Sequence, residues 1–294
     1  MPRRTTSRTT SPRGRKPKPW ITVNAFLAAE QSRGPGEAAR GEATNFAASD
    51  LDILTLLSIL QSTRNGALRK ITCIPTFRLC FFGRSDSKQV IMRHSAENRC
   101  ASAPRGYALI TDIRAGVVVT DLLGRREPQL WLPDRFHESL IECERLGKRF
   151  CICNVGLYST DLIASGHAGA LIFDLRFRVI ERYEPGARNI TAISDDHLIE
   201  VLFINHLPDW KYTGIIGGVQ TRATDSHGGM CVTFSFLYTL LRILNPDRSP
   251  HEIAHFMVRG STSEIKERTL RLNRWMMNRL RRHQRGSLRY RNAE

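Results

Sequence analysis

An α+β fold is predicted for this chain by three features of its sequence. Two β-rich runs, HAGALIFD from His167 and FRVIERYEP from Phe177, flank a turn and read as a hairpin. A long apolar segment opens at Cys231 and runs to about Leu244 with the length of a core helix. Two helix-start signals follow it, Ser249-Pro250-His251-Glu252 and Ser261 to Glu264. A mixed sheet packed against the helix headed by Cys231 accommodates all three.

Taken in order, residues 1–20 are rich in Thr, Ser, Pro and Arg, cannot build a core, and read as a disordered basic tail. Residues 21–48 read as a linker and docking segment, with WITVNAFL (Trp20 to Leu27) as the docking part. Residues 49–260 are assigned to the main domain. Ser49 caps a helix to about Arg64, which Asn65 and Gly66 end. The runs ITCIP, FRLCFF, QVIM, YALITD and VVVTDL, starting at Ile71, Phe77, Gln89, Tyr107 and Val117, suggest an antiparallel meander. Phe136 to Leu146 reads as a helix that Gly147 terminates, KRFCICNVGL from Lys148 as a strand, and Asp195 to Ile204 as a helix. Residues 261–294 form a basic helical extension, with Leu272, Trp275, Met276 and Leu280 as its docking residues.

The chain has 294 residues, 41% hydrophobic and 24% charged, a composition typical of soluble globular proteins. No apolar run reaches the roughly 18 residues of a membrane span, and the N-terminus lacks the apolar stretch of a secretory signal. Seven cysteines, an odd number, argue against a disulfide framework and for a reducing compartment. Cys151 and Cys153 flank Ile152 in a strand, point the same way, and read as small buried hydrophobes. No metal-binding spacing is visible, and no Walker loop or paired-carboxylate motif supports a nucleic-acid enzyme.

The net charge of +16 is concentrated at the ends. Residues 1–20 hold Arg3, Arg4, Arg8, Arg13, Arg15, Lys16 and Lys18 with no acid. Residues 264–294 hold ten basic residues, among them Arg274, Arg279, Arg281, Arg282 and Arg285, against three acids. Basic arms on a nearly neutral body suit contact with a nucleic acid.

The chemistry is concentrated in GHAGALIFDLRFRVIERYEP and DSHGGMCVTFSFLY. A hairpin that turns at Asp174 to Phe177 sets His167 directly across from Glu184, on one face of the sheet. A carboxylate there orients an imidazole and stabilises its cation. Cys231 opens a helix after Gly228-Gly229-Met230, where free N–H groups and the helix dipole favour a thiolate and receive an oxyanion. These are the parts of a thiol peptidase.

The run RFCICNVGL, GHAGALIFD, ERYEP and GGMC, followed by LRILNPD from Leu241, resembles the cysteine peptidases related to SUMO-deconjugating enzymes and the adenovirus maturation protease. It is most similar to the divergent forms encoded by large nucleocytoplasmic DNA viruses, over about Lys148 to Phe256. The resemblance implies a cysteine-peptidase fold with His167 as general base, Glu184 as its orienting acid and Cys231 as nucleophile. The family's oxyanion Gln usually stands some six positions before the Cys, a place held here by Asp225, whereas Gln220 is eleven before. Either residue is a candidate, or catalysis is impaired. An alternative alignment that makes Ser226 the nucleophile puts Gly228 and Gly229 in the first turns of the helix, and is rejected. The family's Asn two residues after the His is Gly169 here, and its aromatic after the Cys is Phe234.

The implied function is a viral endopeptidase or isopeptidase that cleaves virion precursor proteins or ubiquitin-like conjugates after small residues. It would work in a virion or in the infected cell's cytoplasm or nucleus, need no cofactor, and take DNA as an activator through the basic ends. A second reading is an inactive basic virion or nucleic-acid-associated structural protein built on a peptidase-derived fold.

Overall fold

The computed structural model describes residues 18–31, 56–58, 61, 67–74, 79–82, 136–158, 166–186, 190–221, 224 and 230–291. Among them six strands form one mixed sheet: β1 (Thr72–Cys73), β2 (Leu79–Phe82), β3 (Phe150–Tyr158), β4 (Gly166–Asp174), β5 (Val179–Glu184) and β6 (Lys211–Gly217). β1 and β2 lie one after the other along β3, and β4, β5 and β6 follow in order.

β1 and β2 each pair with β3 and run parallel to it, so they are not neighbouring antiparallel strands of a meander. Parallel pairing needs a crossover, and the chain between β2 and β3 supplies one that ends in helix α3 (Phe136–Arg145). The expected strands at Gln89, Tyr107 and Val117 lie outside the described residues, as does most of the Ser49 helix, of which Leu56 and Leu57 are helical and buried. β5 and β6 are also parallel, joined by helix α4 (Ile190–His206), longer at both ends than the sequence suggests. α1 (Val23–Gln31) and α2 (Ala67–Ile71) precede the sheet, and α5 (Cys231–Leu244), α6 (Pro250–Met257) and α7 (Thr262–Arg291) complete the chain.

The strands alternate between two cores. Phe150, Ile152, Ala170, Ile172 and Tyr183 face α1, α5 and α7, whereas Cys151, Cys153, Leu171, Phe173 and Ile180 face α3 and α4. Helices therefore cover both faces. α5 is buried along its whole length, which its continuous apolar composition requires. α7 joins the same core through Leu272, Met276 and Leu280, with Trp275 packed against them. Trp20 stacks on Phe256 at 4.3 Å, Phe26 meets Trp275 edge-on, and Glu30 pairs with Arg279, so the docking segment is held between α6 and α7.

Gly147, at φ 65, ends α3 in the left-handed conformation its position calls for. Both capping boxes form, with Ser249 Oγ accepting from Glu252 N at 3.2 Å and Ser261 Oγ from Glu264 N at 3.3 Å. Ser249→Ala removes one such acceptor and is expected to cost about 1 kcal/mol in urea unfolding.

Cys151 and Cys153 are buried on one face as expected, and burial with Cys153's proximity pushes the Cys151 thiol well up. Cys73 and Cys143, however, form a disulfide, with Cα atoms 5.7 Å apart. α3 places Cys143 beside β1 by burying Phe136, Ser139, Leu140 and Cys143 as one stripe. An odd total does not prevent one pair from forming, so the count gives no ground for a reducing compartment.

Candidate active site

β4 begins, β5 ends, β6 ends and α5 begins at one end of the sheet. α5 is fixed there by Ser235, one turn after Cys231, whose Oγ donates to Ala168 O at 3.0 Å, the carbonyl next to His167. Farther along, Arg242 of α5 is buried against the hairpin. Its Nε and Nη2 donate to Glu181 at 2.8–3.0 Å, and Nη2 reaches Asp174 at 3.3 Å. Tyr238 of α5 donates to Glu181 at 3.2 Å and stacks on Tyr183 at 4.3 Å. Burial pushes the Glu181 carboxyl up while the Arg242 guanidinium pulls it down, and burial with the Glu181 charge pushes Tyr238 well up.

The hairpin register differs from the expected one by two residues. Asp174 pairs with Val179, Ile172 with Glu181 and Ala170 with Tyr183, so the turn is Leu175 to Arg178. Asp174 belongs to the sheet because Arg149 and Arg242 hold its carboxylate, which also accepts from Arg176 N at 3.2 Å. Arg178, at φ 52, closes the turn. Continued by one residue, this register sets Glu184 across from Gly169 instead of His167. An even shift preserves the face, so position 167 remains in the row of the acid, one place along.

Glu184 is 1% exposed. Its Oε1 accepts from Gly186 N at 3.0 Å, and its Oε2 lies 3.8 Å from Arg182 Nη2. A Cβ on Gly169 would stand 3.5 Å from that Oε2 and 2.9 Å from Tyr183 O. The carboxylate therefore lies over Gly169, two residues or about 6.6 Å along the strand from position 167. The space that a side chain at 169 would need is taken by the acid and the neighbouring strand, which accounts for the glycine.

Sequence reasoning missed the glycines beneath the acid. A Cβ on Gly217, at φ 150, would stand 2.0 Å from Glu184 O, and Gly218 N donates to that same oxygen at 3.3 Å. The signal was the GG pair closing the β-rich run KYTGIIGG, a mark of close backbone approach. Beyond it, Gln220 N donates to Pro185 O at 3.0 Å, next to the acid. A compact turn secures this segment, with Thr224 Oγ1 donating to Val219 O at 2.7 Å and Thr221 N donating to Thr224 Oγ1 at 2.8 Å. Of the two oxyanion candidates, Gln220 stands at this end of the sheet; Asp225 lies outside the described residues, as do Ser226, Gly228 and Gly229.

Cys231 is the first residue of α5 and 6% exposed. The amides of the first turn have no acceptor within the helix and carry the positive end of its dipole. Phe234 is fully buried and serves the core. By alternation the row of positions 167 and 169 with Glu184 lies on the α4 face, whereas α5 lies on the other. The cysteine and the acid's row thus have common ground only past the end of the sheet, where β4 and α5 both start.

Among the residues expected to bind nucleic acid, Lys18 pairs with Asp247 at 3.2 Å and Arg279 with Glu30. Arg274, Arg281 and Arg282 are exposed on α7; Arg3, Arg4, Arg13, Arg15, Lys16 and the side chain of Arg285 lie outside the described residues. Among the described residues no group of three His, Cys, Asp or Glu is placed to hold a metal ion, and no helix is long and apolar enough to cross a membrane.

No protein-family model and no curated protein matches the chain. Two similar solved structures are ChlaDub1 from Chlamydia trachomatis and the ASFV pS273R protease. The first is 11% identical, with a TM-score of 0.43 over 84% of this chain and 96% of that one. The second is 14% identical, with a TM-score of 0.34 over 84% of this chain and 78% of that one.

Proposed function

We propose that the chain is a thiol peptidase or isopeptidase in which Cys231 is the nucleophile, His167 the general base and Glu184 the acid that orients it. The observation that carries this reading is that the start of α5 at Cys231, the start of β4 at Gly166-His167 and the buried carboxylate of Glu184 all lie at one end of the sheet. The helix terminus favours the thiolate, and His167 holds the thiol's proton as imidazolium, stabilised by Glu184.

The thiolate attacks the scissile carbonyl to form the C–S bond, and the negative charge passes to oxygen. First-turn amides of α5 receive that oxyanion, with Gln220 as the side-chain donor. Collapse of the intermediate breaks the C–N bond, and the imidazolium protonates the departing amine. Water, deprotonated by His167, then cleaves the thioester and restores the thiol. The sequence resemblance supports protein substrates with small residues before the scissile bond, either virion precursors or ubiquitin-like conjugates.

A ubiquitin-like protein ending in a Gly vinyl sulfone tests both the nucleophile and the substrate class. The full chain is expected to form one adduct at Cys231, absent in Cys231→Ser and slower by about 10²-fold or more in His167→Ala. An adduct at another cysteine removes Cys231 from its role. Reaction of Cys231 with a small alkylating agent but not with this probe removes ubiquitin-like conjugates and leaves precursor proteins as the substrate.

A further inference from the structure

A second line of charges stands behind the acid. Arg182 precedes Glu184 by two residues, points to the same face and is 2% exposed. Its Nη1 donates to Asp196 Oδ1 of α4 at 2.9 Å, while Nη2 lies 3.8 Å from Glu184 Oε2. Asp196 Oδ1 also accepts from Tyr212 OH of β6 at 2.6 Å. A bulge between β5 and β6, where Gly214 adopts φ 72, sets Arg182 opposite Ile215. The carboxylate is thus gripped by Gly186 N on one oxygen and faced by a guanidinium on the other.

Among the described residues, this line supplies the charge nearest Glu184. Burial pushes both Tyr183 and Tyr212 up, so these phenols stay neutral. On the opposite face, Arg242 and Tyr238 of α5 are committed to Glu181. From β4 the neighbour is Gly169, with His167 one place along the row. Glu184, Arg182 and Asp196 together carry one net negative charge, and the position of Arg182 between the two carboxylates decides how much of it an imidazolium in that row experiences.

We propose that Arg182 is a positioning residue for Glu184, and that Asp196 sets the strength of the acid by drawing Arg182 away from it. The proposal rests on the reading of His167, Glu184 and Cys231 given above. Removing Asp196 leaves Arg182 to Glu184 alone, brings the group to neutrality, and weakens the thiolate–imidazolium pair. Removing the charge of Arg182 does the reverse.

The pH dependence of Cys231 alkylation by iodoacetate in the full chain tests this, read by mass spectrometry of the Cys231 peptide between pH 5 and 10. An anionic reagent is drawn by the imidazolium, so the rate rises as the thiolate forms and falls as the imidazolium loses its proton. Asp196→Asn is expected to move the falling limb down by about one pH unit. Arg182→Met is expected to move it up by a similar amount, and Arg182→Lys to keep it near the wild-type position. If both charge variants lower the rate without moving either limb, Arg182 is only structural and the proposal fails. Asp196→Asn, isosteric and at a side chain 18% exposed, keeps the test decisive if Arg182→Met does not fold. If the wild-type profile is a plain thiol titration that His167→Ala leaves unchanged, the peptidase reading itself falls and takes this inference with it.

Discussion

Replacing Arg242 by methionine is expected to lower the stability of the chain by roughly 3–5 kcal/mol, the cost of leaving buried carboxylates without their cation. Arg242 has 3% of its side chain exposed and Glu181 1%, and the guanidinium holds Glu181 through both Nε and Nη2 while reaching Asp174. It also lies over the Phe150 ring at 4.7 Å. The loss would appear in urea unfolding as a lower midpoint with little change in slope. The pair Arg242→Met with Glu181→Leu should recover part of it, because removing both charges avoids the uncompensated one. The functional consequence is positional. This cluster is the fastening between the Cys231 helix and the hairpin that carries His167 and Glu184.

Gly217→Ala is expected to leave a folded chain with Cys231 alkylation slowed by about 10²-fold, because misplacing a site by about 1 Å costs that much. The added Cβ would meet Glu184 O at 2.0 Å and the Glu184 carbonyl carbon at 2.8 Å, and main chain cannot yield as a flexible side chain can. Either β6 separates from β5 or the acid's backbone moves. Gly214→Ala is the contrasting variant: φ 72 lies in the left-handed region that other residues enter at modest cost, and its Cβ would meet only Asp196 Oδ2, at ordinary contact distance of 3.8 Å. A much smaller slowing is expected there in the iodoacetate rate. Equal slowing in the two would show that the contact with Glu184 is immaterial.

The features legible in the sequence are those with local signals. Cys231 opens its helix after a glycine pair, Gly147 and the two serine boxes mark helix ends, and the period-two runs mark β4 and β5. What sequence reading misplaced depended on distant partners. Asp174 looks like a turn residue until Arg149 and Arg242, 25 and 68 positions away, claim its carboxylate and lengthen the strands. The direction of β1 and β2 was illegible for the same reason, since their partner β3 begins beyond a long crossover. The Cys73–Cys143 disulfide spans 70 residues, and only the apolar stripe of α3 hinted that Cys143 faces the sheet. The two-residue error in register did no harm to the face argument, because alternation has period two.

The proposed activation of Cys231 by His167, under the control of Glu184, is tested most directly by the iodoacetate rate at Cys231 across pH for the wild type, His167→Ala and Glu184→Gln. Fast reaction near neutral pH with a bell-shaped profile is expected, with collapse to a plain thiol curve in His167→Ala and a narrowed bell in Glu184→Gln. A wild-type Cys231 that reacts no faster than an ordinary thiol, with a profile indifferent to both substitutions, would contradict it.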